Sequence, residues 1–347
     1  MDPSATTSKC AAAAATVPRG KNHLIAQIPL ENQAHATDLG AYLIGDSLAL
    51  LASERFGHLE GKVDLILTSP PFPLNRKKSY GNLQGEKYLE WFVQMAPIFN
   101  RLLSAEGSLV IELGNAWEPG RPVQSLLHLQ ALMSLVQHEE AEFRLIQQFI
   151  NYNPSRLPSP AQWVTVQRCR VVDSFTHVWW LAKTDFPKAD NTKVLRPYSK
   201  SMRKLLDRGS YNSGRRPSEH SLSSEGFLKD QGGSIAHNVM ECEPIDPSRP
   251  YRPPNVFSLA NSMSTDAYHR ACRERGLKPH PARMHPGLAA FFINFLTDPG
   301  DLVIDPFAGS NTTGFLAETM GRHWLAFDVN QEYADHSIVR FKCKESV

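Results

Sequence analysis

Short apolar runs alternate along most of the chain with segments whose apolar residues have helical spacing. The runs are typical of strands buried on both faces, and they lie at residues 42–44, 63–67, 108–111, 178–181, 302–305 and 324–328. Helical spacing is found at residues 88–103, 125–136 and 288–296, and a further helix is expected after Gly45. Pro97 should kink or break the first of these helices. This alternation predicts an α/β fold with a doubly wound, mostly parallel sheet.

Two stretches lack this regular pattern and define the expected organisation. Residues 1–38 have no periodic apolar positions, which predicts a disordered N-terminal extension. Residues 183–275 are rich in Pro, Ser, Gly and basic residues, which predicts an insertion between two halves of the α/β domain, 39–182 and 276–347. In the strand at 178–181 we expect one of Trp179 and Trp180 in the core and the other on the surface.

Charge becomes informative only when it is examined locally. The 37 basic and 35 acidic residues nearly cancel, so the net charge of +2 says little about partners. Residues 183–229, however, contain eleven basic and five acidic side chains. Such a run is often only a solvated surface, but within an insertion it also suits contact with a polyanion such as DNA.

The positions of the cysteines and the hydropathy of the chain indicate the cellular compartment of the protein. The five cysteines are scattered, with no pair at metal-ligand spacing, which suits a reducing compartment and predicts no metal site. No apolar run approaches the length of a membrane span, and the alanine tract at residues 11–15 is too short for a signal peptide. We therefore expect a cytoplasmic protein.

A small-residue loop near the C-terminus predicts a nucleoside site. Residues 305–314 follow one predicted strand and open onto a helix, whose first N–H groups suit an anionic group. Asp328 ends the next strand, nineteen residues beyond Gly309, where a carboxylate can accept both hydroxyls of a ribose. The glycines do not form a dinucleotide fingerprint, so S-adenosylmethionine, which has no phosphate, fits better. The alternative is an ordinary turn between a strand and a helix.

The loop after the strand at residues 63–67 predicts a catalytic site. Ser69, Pro70, Pro71 and Phe72 stand where α/β sheets place their ligands. Two prolines supply no N–H, so the loop offers the Ser69 hydroxyl and backbone carbonyls as acceptors for an exocyclic amino group. With both hydrogens held, the nitrogen lone pair becomes available to attack a methyl group. Phe72 could stack on an extruded base; the alternative is a Pro-rich turn with a buried Phe.

Together these motifs resemble the amino-methyltransferases of bacterial restriction–modification systems. Ser-Pro-Pro followed by an aromatic residue is typical of the N4-cytosine enzymes, and a catalytic motif that precedes the cofactor motif is the order of the beta class, a circular permutation of the Rossmann-like fold. The resemblance covers nearly everything after residue 40. It implies a site-specific methyltransferase that moves a methyl group from S-adenosylmethionine to N4 of cytosine in double-stranded DNA. Likeness through the insertion, which is then the target-recognition region, implies a CAGCTG-type site.

The resemblance also implies a biological role and leaves alternatives open. Methylation would protect DNA from a paired restriction endonuclease, and the enzyme would act as a monomer. An N6-adenine enzyme and a catalytically silent DNA-binding relative remain alternatives. Protein or RNA amino-methyltransferases with an Asn-Pro-Pro-Tyr loop are a fair enzymatic rival, although they normally place the cofactor motif first and lack the basic insertion. A C5-cytosine enzyme is excluded, because it needs a nucleophilic cysteine and no cysteine here adjoins a proline in such a loop.

The resemblance assigns roles to individual residues. Asp46 would lie near the adenine amino group and Asp328 on the ribose. Around the methionine end and the packing surface of the cofactor the implied residues are Pro281, Arg283, Asp305, Phe307, Gly309, Ser310, Asn311 and Thr312. Glu112 would relay a proton through Ser69, although its side chain is longer than the Asp of related enzymes. The expected DNA contacts are Arg76, Lys77, Lys78, Arg215, Arg216, His220, His237 and Asn238.

Overall fold

The computed structural model describes residues 22–28, 30–73, 83–241, 267–280 and 283–342. Its strands are β1 (Gln33–Ala36), β2 (Gly40–Ile44), β3 (Val63–Thr68), β4 (Leu103–Gly114), β5 (Arg144–Tyr152), β6 (Phe175–Ala182), β7 (Gly214–Arg215), β8 (Ser221–Leu222), β9 (Val239–Glu241), β10 (Leu302–Asp305) and β11 (His323–Asp328). Its α-helices are α1 (Asn22–Ile25), α2 (Ser47–Ala52), α3 (Glu86–Val93), α4 (Met95–Leu102), α5 (Leu127–Val136), α6 (Lys200–Arg208), α7 (Ala267–Glu274), α8 (Pro286–Leu296), α9 (Thr312–Thr319), α10 (Gln331–Ser337) and α11 (Val339–Lys342).

Nine of these strands form one sheet in the order β1-β2-β11-β10-β3-β4-β6-β5-β9. The central strands from β2 to β4 are all parallel, whereas β6 runs antiparallel to both β4 and β5. The C-terminal strands β10 and β11 lie between the N-terminal strands β2 and β3, which is the permuted arrangement. The predicted doubly wound, mostly parallel fold is confirmed.

Helices cover both faces of the sheet, and each face has its own apolar core. Phe99 of α4 and Trp179 belong to one core, and Phe292 of α8 and Trp180 belong to the other. The prediction that one tryptophan lies on the surface is therefore wrong, since Trp179 is 0% and Trp180 6% exposed. Side chains of adjacent strand residues point to opposite faces, and here both faces are buried.

The strands that carry the two chemical motifs are neighbours. β10 pairs with β3 in parallel, with Ile304 opposite Ile66. The loops that follow both strands therefore leave the same edge of the sheet. β3 belongs to the N-terminal half of the chain and β10 to the C-terminal half. In α/β sheets, ligand crevices commonly open between two neighbouring strands of this kind.

Part of the predicted N-terminal extension belongs to the fold. Residues 22–28 and 30–38 are ordered, with Leu24 and Ile28 in the core and β1 paired antiparallel to β2. The structure differs here from the prediction that residues 1–38 are disordered. β1 has only four residues at the edge of the sheet, too few to give a periodic pattern.

The predicted break at Pro97 is confirmed. Helices α3 and α4 are separate and meet at Gln94. Proline lacks an N–H group, and its ring clashes with the carbonyl four residues earlier, which here belongs to Val93. The last residue of α3 is that same Val93.

The segment at residues 183–275 contacts the rest of the fold at several places. Its β9 extends the sheet beside β5, and its α7 packs on α11 through Tyr268, Cys272 and Val339. Lys188 forms ion pairs of 2.8 and 2.6 Å with Asp298 and Asp301. Among its described residues, β7 and β8 form a two-stranded hairpin that is separate from the nine-stranded sheet. None of the helices in the described ranges is long and apolar enough to cross a bilayer.

Candidate active site

A cavity of about 820 Å³ opens at the carboxyl edge of the parallel strands. Its wall joins the loop after β3 to the loop after β10. Predicted site residues that line it are Asp46, Ser69, Pro70, Pro71, Phe72, Glu112, Arg283, Asp305, Phe307, Gly309, Thr312 and Asp328. The two motifs, which are more than 200 residues apart in the chain, thus share one chamber.

The Ser69 loop leaves the sheet directly after Thr68, the last residue of β3. The ring of Phe72 lies against Gly114 at the end of β4, where an added Cβ would stand 2.6 Å from ring carbons of Phe72. Only glycine leaves room for the aromatic ring in this position. The sequence reasoning did not single out Gly114, because its role depends on a neighbour 42 residues away.

Glu112 projects from β4 into the same chamber and is almost fully buried. Its Oε1 accepts hydrogen bonds from Asn151 Nδ2 at 2.9 Å and from Thr176 Oγ1 at 2.7 Å. Burial raises the pKa of the Glu112 carboxyl, and hydrogen bonds from Thr176, Asn151 and the Ser69 hydroxyl lower it in part. Glu112 and Ser69 therefore line the same cavity.

Asn151 and Thr176 were missed by the sequence reasoning, although both line the cavity. Asn151 lies on β5, whose residues show no apolar run, and the strand itself was not foreseen. Thr176 stands opposite Asn151 in the β5–β6 pairing. Only this cross-strand register brings the two side chains to one carboxylate.

Asp305 ties the loop after β10 to its surroundings. Its Oδ1 accepts from Thr68 Oγ1 at 2.8 Å and from Phe307 N at 3.2 Å, and its Oδ2 accepts from Thr313 Oγ1 at 2.7 Å. Burial raises the pKa of Asp305 to about 6, against the effect of these hydrogen bonds. The carboxylate therefore holds the loop in shape while it remains part of the cavity wall.

Gly309 adopts a backbone conformation that favours glycine. Its φ is +50°, and an added Cβ would stand 2.9 Å from His280 Nε2. Tyr42 OH donates a 2.9 Å hydrogen bond to the Gly309 carbonyl, and Gly309 N donates to Asp328 Oδ2 at 3.0 Å. A ligand can consequently approach the backbone closely at this turn.

Two further carboxylates face the cavity. Asp328 accepts from Gly309 N with Oδ2 and from Asn330 N with Oδ1, at 3.0 and 2.9 Å, and burial raises its pKa. Each oxygen keeps a second lone pair for a ligand hydroxyl. Asp46 caps α2, with Oδ1 accepting from Leu48 N and Ala49 N at 3.0 Å each.

Ser310 and Asn311 do not line the cavity. Both are buried beneath the loop, where Arg340 Nε donates to the Ser310 carbonyl at 2.7 Å and Arg340 Nη2 to its hydroxyl at 3.0 Å. Asn311, with φ of +55°, caps α9 by accepting from Gly314 N at 3.1 Å. Their side chains support the loop from below, and a cofactor contact by these two residues stays a prediction.

The remaining cofactor residues are placed as follows. The Phe307 ring packs on Trp91 of α3 with centroids 5.6 Å apart. The Arg283 guanidinium lies 5.5 Å from the centroid of the Tyr268 ring. Pro281 lies outside the described residues.

The predicted DNA contacts that fall within the described residues do not line the cavity. Arg215, Arg216 and His220 are exposed on the hairpin of β7 and β8, and His237 and Asn238 are exposed just before β9. Arg215 pairs with Glu219 at 3.5 Å, and Arg216 Nη2 donates to the Asn212 carbonyl at 2.9 Å. Arg76, Lys77 and Lys78 lie outside the described residues. Among the described side chains, no group of three or more His, Cys, Asp or Glu could hold a metal ion.

Comparisons with known proteins agree with this geometry. A family model described as DNA methylase matches residues 63–339. The chain is 41% identical over 310 residues to Type II methyltransferase M.PvuII of Proteus hauseri, covering 89% of this chain and 85% of the relative. It is 22% identical over 282 residues to Type II methyltransferase M.HpaI of Haemophilus parainfluenzae, covering 80% and 67%. A solved structure named PvuII DNA methyltransferase (cytosine-N4-specific) superposes with a TM-score of 0.67 at 35% identity, covering 89% of both chains.

Proposed function

Because the chain belongs to the DNA methylase family, we propose that it methylates N4 of cytosine in a short site of double-stranded DNA. Family membership confirms the predicted enzyme class, a DNA methyltransferase that uses S-adenosylmethionine. The choice of N4 of cytosine is supported by the Ser-Pro-Pro-Phe loop and by the similarity to a solved enzyme that is described as cytosine-N4-specific. The observation that carries the proposal is that Ser69 and the Asp305–Asp328 region line one cavity.

The residues of the cavity fit S-adenosylmethionine. The cofactor has ribose hydroxyls and an adenine amino group as donors, and the Asp328 and Asp46 carboxylates are acceptors on the wall. Its carboxylate suits the N–H groups at the start of α9, which Thr312 brings to the wall. The missing Cβ at Gly309 leaves space for close approach. When bound, the cofactor supplies a sulfonium methyl group that is open to in-line attack.

The Ser69 loop and Glu112 would handle the target amino group. The Ser69 hydroxyl and the Pro70 carbonyl accept its two hydrogens, which localises the nitrogen lone pair. When the nitrogen gains the methyl group it must lose one proton, which passes through Ser69 Oγ to the Glu112 carboxylate and later to water. Burial of Glu112 favours this step, because a raised pKa makes its carboxylate a stronger base. Phe72 would stack on the extruded cytosine.

Further parts of the proposal concern DNA and biology. Residues 183–275 act as the target-recognition region, with the hairpin residues Arg215, Arg216 and His220 against the duplex, and the site is of CAGCTG type. The enzyme works as a monomer in the bacterial cytoplasm and protects the DNA from a paired restriction endonuclease. These statements rest on the position of the basic segment between the two halves of the fold and on the similarity to type II enzymes.

The proposal is tested by the identity of the methylated nucleoside. Purified protein is incubated with duplex DNA and methyl-labelled S-adenosylmethionine, and the DNA is digested to nucleosides and separated. We expect labelled N4-methylcytosine in one sequence context. Labelled N6-methyladenine alone would replace cytosine by adenine as the target, and cofactor binding without any transfer would indicate a catalytically silent relative.

A further inference from the structure

The loop between β5 and β6 forms a projection beside the mouth of the cavity. This projection, residues 153–174, leaves the carboxyl end of β5 and returns into β6 at the same edge of the sheet. Its base is closed by a 2.7 Å hydrogen bond from Asn153 N to the Ser174 carbonyl. Asn153 and Arg156 line the cavity. The projection is therefore continuous with the chamber that would hold the extruded base.

Contacts with a second loop support the projection. Arg170 Nη1 donates a 2.8 Å hydrogen bond to the Pro122 carbonyl, and its guanidinium lies 4.1 Å from the centroid of the Trp117 ring. Trp117 in turn meets Trp163 edge to face, with centroids 6.1 Å apart. The backbone at Gln162–Val166 forms a turn of π-helix, which is closed by a 2.8 Å hydrogen bond from Gln167 N to the Gln162 carbonyl.

Large apolar side chains stand exposed on this supported loop. Leu157 is 80%, Val166 69% and Val171 83% exposed. A single exposed apolar residue is ordinary in a soluble protein, but three on one short loop beside a catalytic cavity indicate a contact surface.

The charge of the projection indicates what it contacts. Residues 153–174 contain three arginines and one aspartate. Arg170 lies 3.9 Å from Asp173, whereas Arg156 and Arg168 are exposed. Arg168 also has φ of +52°, an uncommon conformation that is found more often at functional sites. Exposed arginines together with apolar side chains suit DNA, whose phosphates attract guanidinium groups and whose unstacked bases present apolar faces.

We propose that this projection docks on the DNA duplex beside the extruded cytosine, with Arg156 and Arg168 at phosphates and Leu157, Val166 and Val171 against the disturbed base stack. The inference rests on the proposed function for its partner and target base. It adds a DNA surface that is separate from the recognition segment at residues 183–275. Because the projection lines the cavity mouth, it would contact the duplex at the place where the target base leaves the stack.

Two variants test the two kinds of contact. Arg168→Gln removes a charge, and Leu157→Ser with Val171→Ser removes the apolar tips. Matched controls lie at the opposite edge of the sheet, at the start of β5: Arg144→Gln, and Leu145→Ser at an apolar residue that is 39% exposed. Affinity for duplex DNA is measured against salt concentration in the presence of S-adenosylhomocysteine, together with the fluorescence of a base analogue at the target position.

We expect the projection variants to bind DNA about fivefold more weakly or worse, with the salt slope of Arg168→Gln reduced by about 0.9 for one lost phosphate contact. The apolar variant should also lose fluorescence from the extruded base. Affinity for S-adenosylhomocysteine and the melting temperature should stay at wild-type values, which shows that the fold is intact.

The native Cys169 provides a second measurement, since it is exposed on the projection. DNA with a tethered thiol, activated as a mixed disulfide next to the target cytosine, should form a covalent complex that Cys169→Ser abolishes. A tether placed a full helical turn or more away should react less.

DNA binding within twofold of wild type for both projection variants, or losses in the controls as large as theirs, would overturn the inference. A Cys169-dependent complex that forms equally well at both tether positions would also overturn it. A loss of DNA affinity in either projection variant, with no such loss in either control, supports the inference. None of these measurements requires methyl transfer. If wild-type protein makes no N4-methylcytosine but the projection variants still lose DNA affinity, the proposed function fails and the docking surface stands.

Discussion

Thr68 and Asp305 are 237 residues apart in the chain, yet Thr68 Oγ1 donates a buried hydrogen bond of 2.8 Å to Asp305 Oδ1. Thr68 is the last residue of β3 and Asp305 the last residue of β10. This bond therefore joins the strand that precedes the Ser69 loop to the strand that precedes the Gly309 loop. It fixes the two motifs at adjacent positions on one wall of the cavity, which methyl transfer between two bound molecules requires.

Protonation of Asp305 should weaken binding of the charged cofactor. Burial raises the pKa of Asp305 to about 6. At pH values between the ordinary pKa of an aspartate and 6, the Asp305 carboxyl therefore holds a proton in the folded protein and releases it in the unfolded chain. A bound sulfonium favours the ionised carboxylate. Affinity for S-adenosylmethionine, relative to S-adenosylhomocysteine, should fall by up to about tenfold from pH 7 to pH 5. Calorimetry at both pH values measures this ratio.

Asp305→Asn is the control for this prediction, because Asp328 also has a raised pKa and faces the same cavity. The variant should remove the pH dependence of the ratio. A ratio that changes equally in wild type and variant would assign the titration to another group.

Gly309→Ala should destabilise the protein and weaken cofactor binding. The added Cβ would stand 2.9 Å from His280 Nε2, and φ at this residue is +50°. Gly61→Ala is the matched control, since Gly61 has φ of +64° with nothing within 4 Å of an added Cβ. The control isolates the backbone cost of about 1 to 2 kcal/mol. Denaturant unfolding should show a larger loss of unfolding free energy for Gly309→Ala than for Gly61→Ala, and adding His280→Ala should restore part of it. Equal losses for the two glycine variants would show that the His280 side chain moves aside without cost.

Asp328→Ala should weaken cofactor binding and leave DNA binding nearly intact. The carboxylate is expected to accept ribose hydroxyls in charge-assisted hydrogen bonds worth about 2 to 3 kcal/mol. It also holds Gly309 N and Asn330 N, so part of the loss comes from a loosened loop. Calorimetry with S-adenosylhomocysteine measures the effect, with the exposed Asp335→Ala as control. An unaltered dissociation constant would show that the nucleoside of the cofactor does not bind at the end of β11.

Replacement of both Arg215 and Arg216 by alanine should weaken DNA binding and reduce its salt slope by roughly one unit per lost phosphate contact. Both arginines are exposed on the hairpin of β7 and β8 and do not line the cavity, so cofactor affinity should not change. Binding is measured on specific and non-specific duplexes. If the pair reads guanine edges, discrimination between the duplexes should fall as well. If the DNA affinity and its salt slope were identical to those of Arg144→Ala, the two arginines would make no contact with the DNA.

The sequence predicted the central architecture because buried parallel strands carry a strong local signal. The run at residues 302–305 is β10 to the residue, and α3 ends at Val93, just before the first turn of α4 that contains Pro97. The positions of Ser69 and Asp328 at strand ends were also correct, since a parallel sheet brings such ends to one edge.

Features that depend on contacts between distant segments were not predictable in this way. β5 alternates too weakly to be recognised, so Asn151 and its register with Thr176 were missed. Ser310 and Asn311 belong to the Gly-containing loop, but their side chains turn towards Arg340 and α9 and away from the cavity. Both tryptophans at 179 and 180 are buried because helices cover both faces of the sheet. Local sequence does not specify which side chain faces which partner across the fold.

The most direct test of the account is the single-turnover rate of N4-methylcytosine formation by wild type and Ser69→Ala at equal cofactor occupancy. The hydroxyl serves the target nitrogen and passes its proton to Glu112, so we expect the variant to bind S-adenosylmethionine normally while the rate falls by about a hundredfold or more. Ser47→Ala, on the same cavity wall but away from the β3 loop, is the control and should keep the wild-type rate. An unchanged rate for Ser69→Ala, a loss explained wholly by weaker cofactor binding, or a product other than N4-methylcytosine in the wild type would contradict the account.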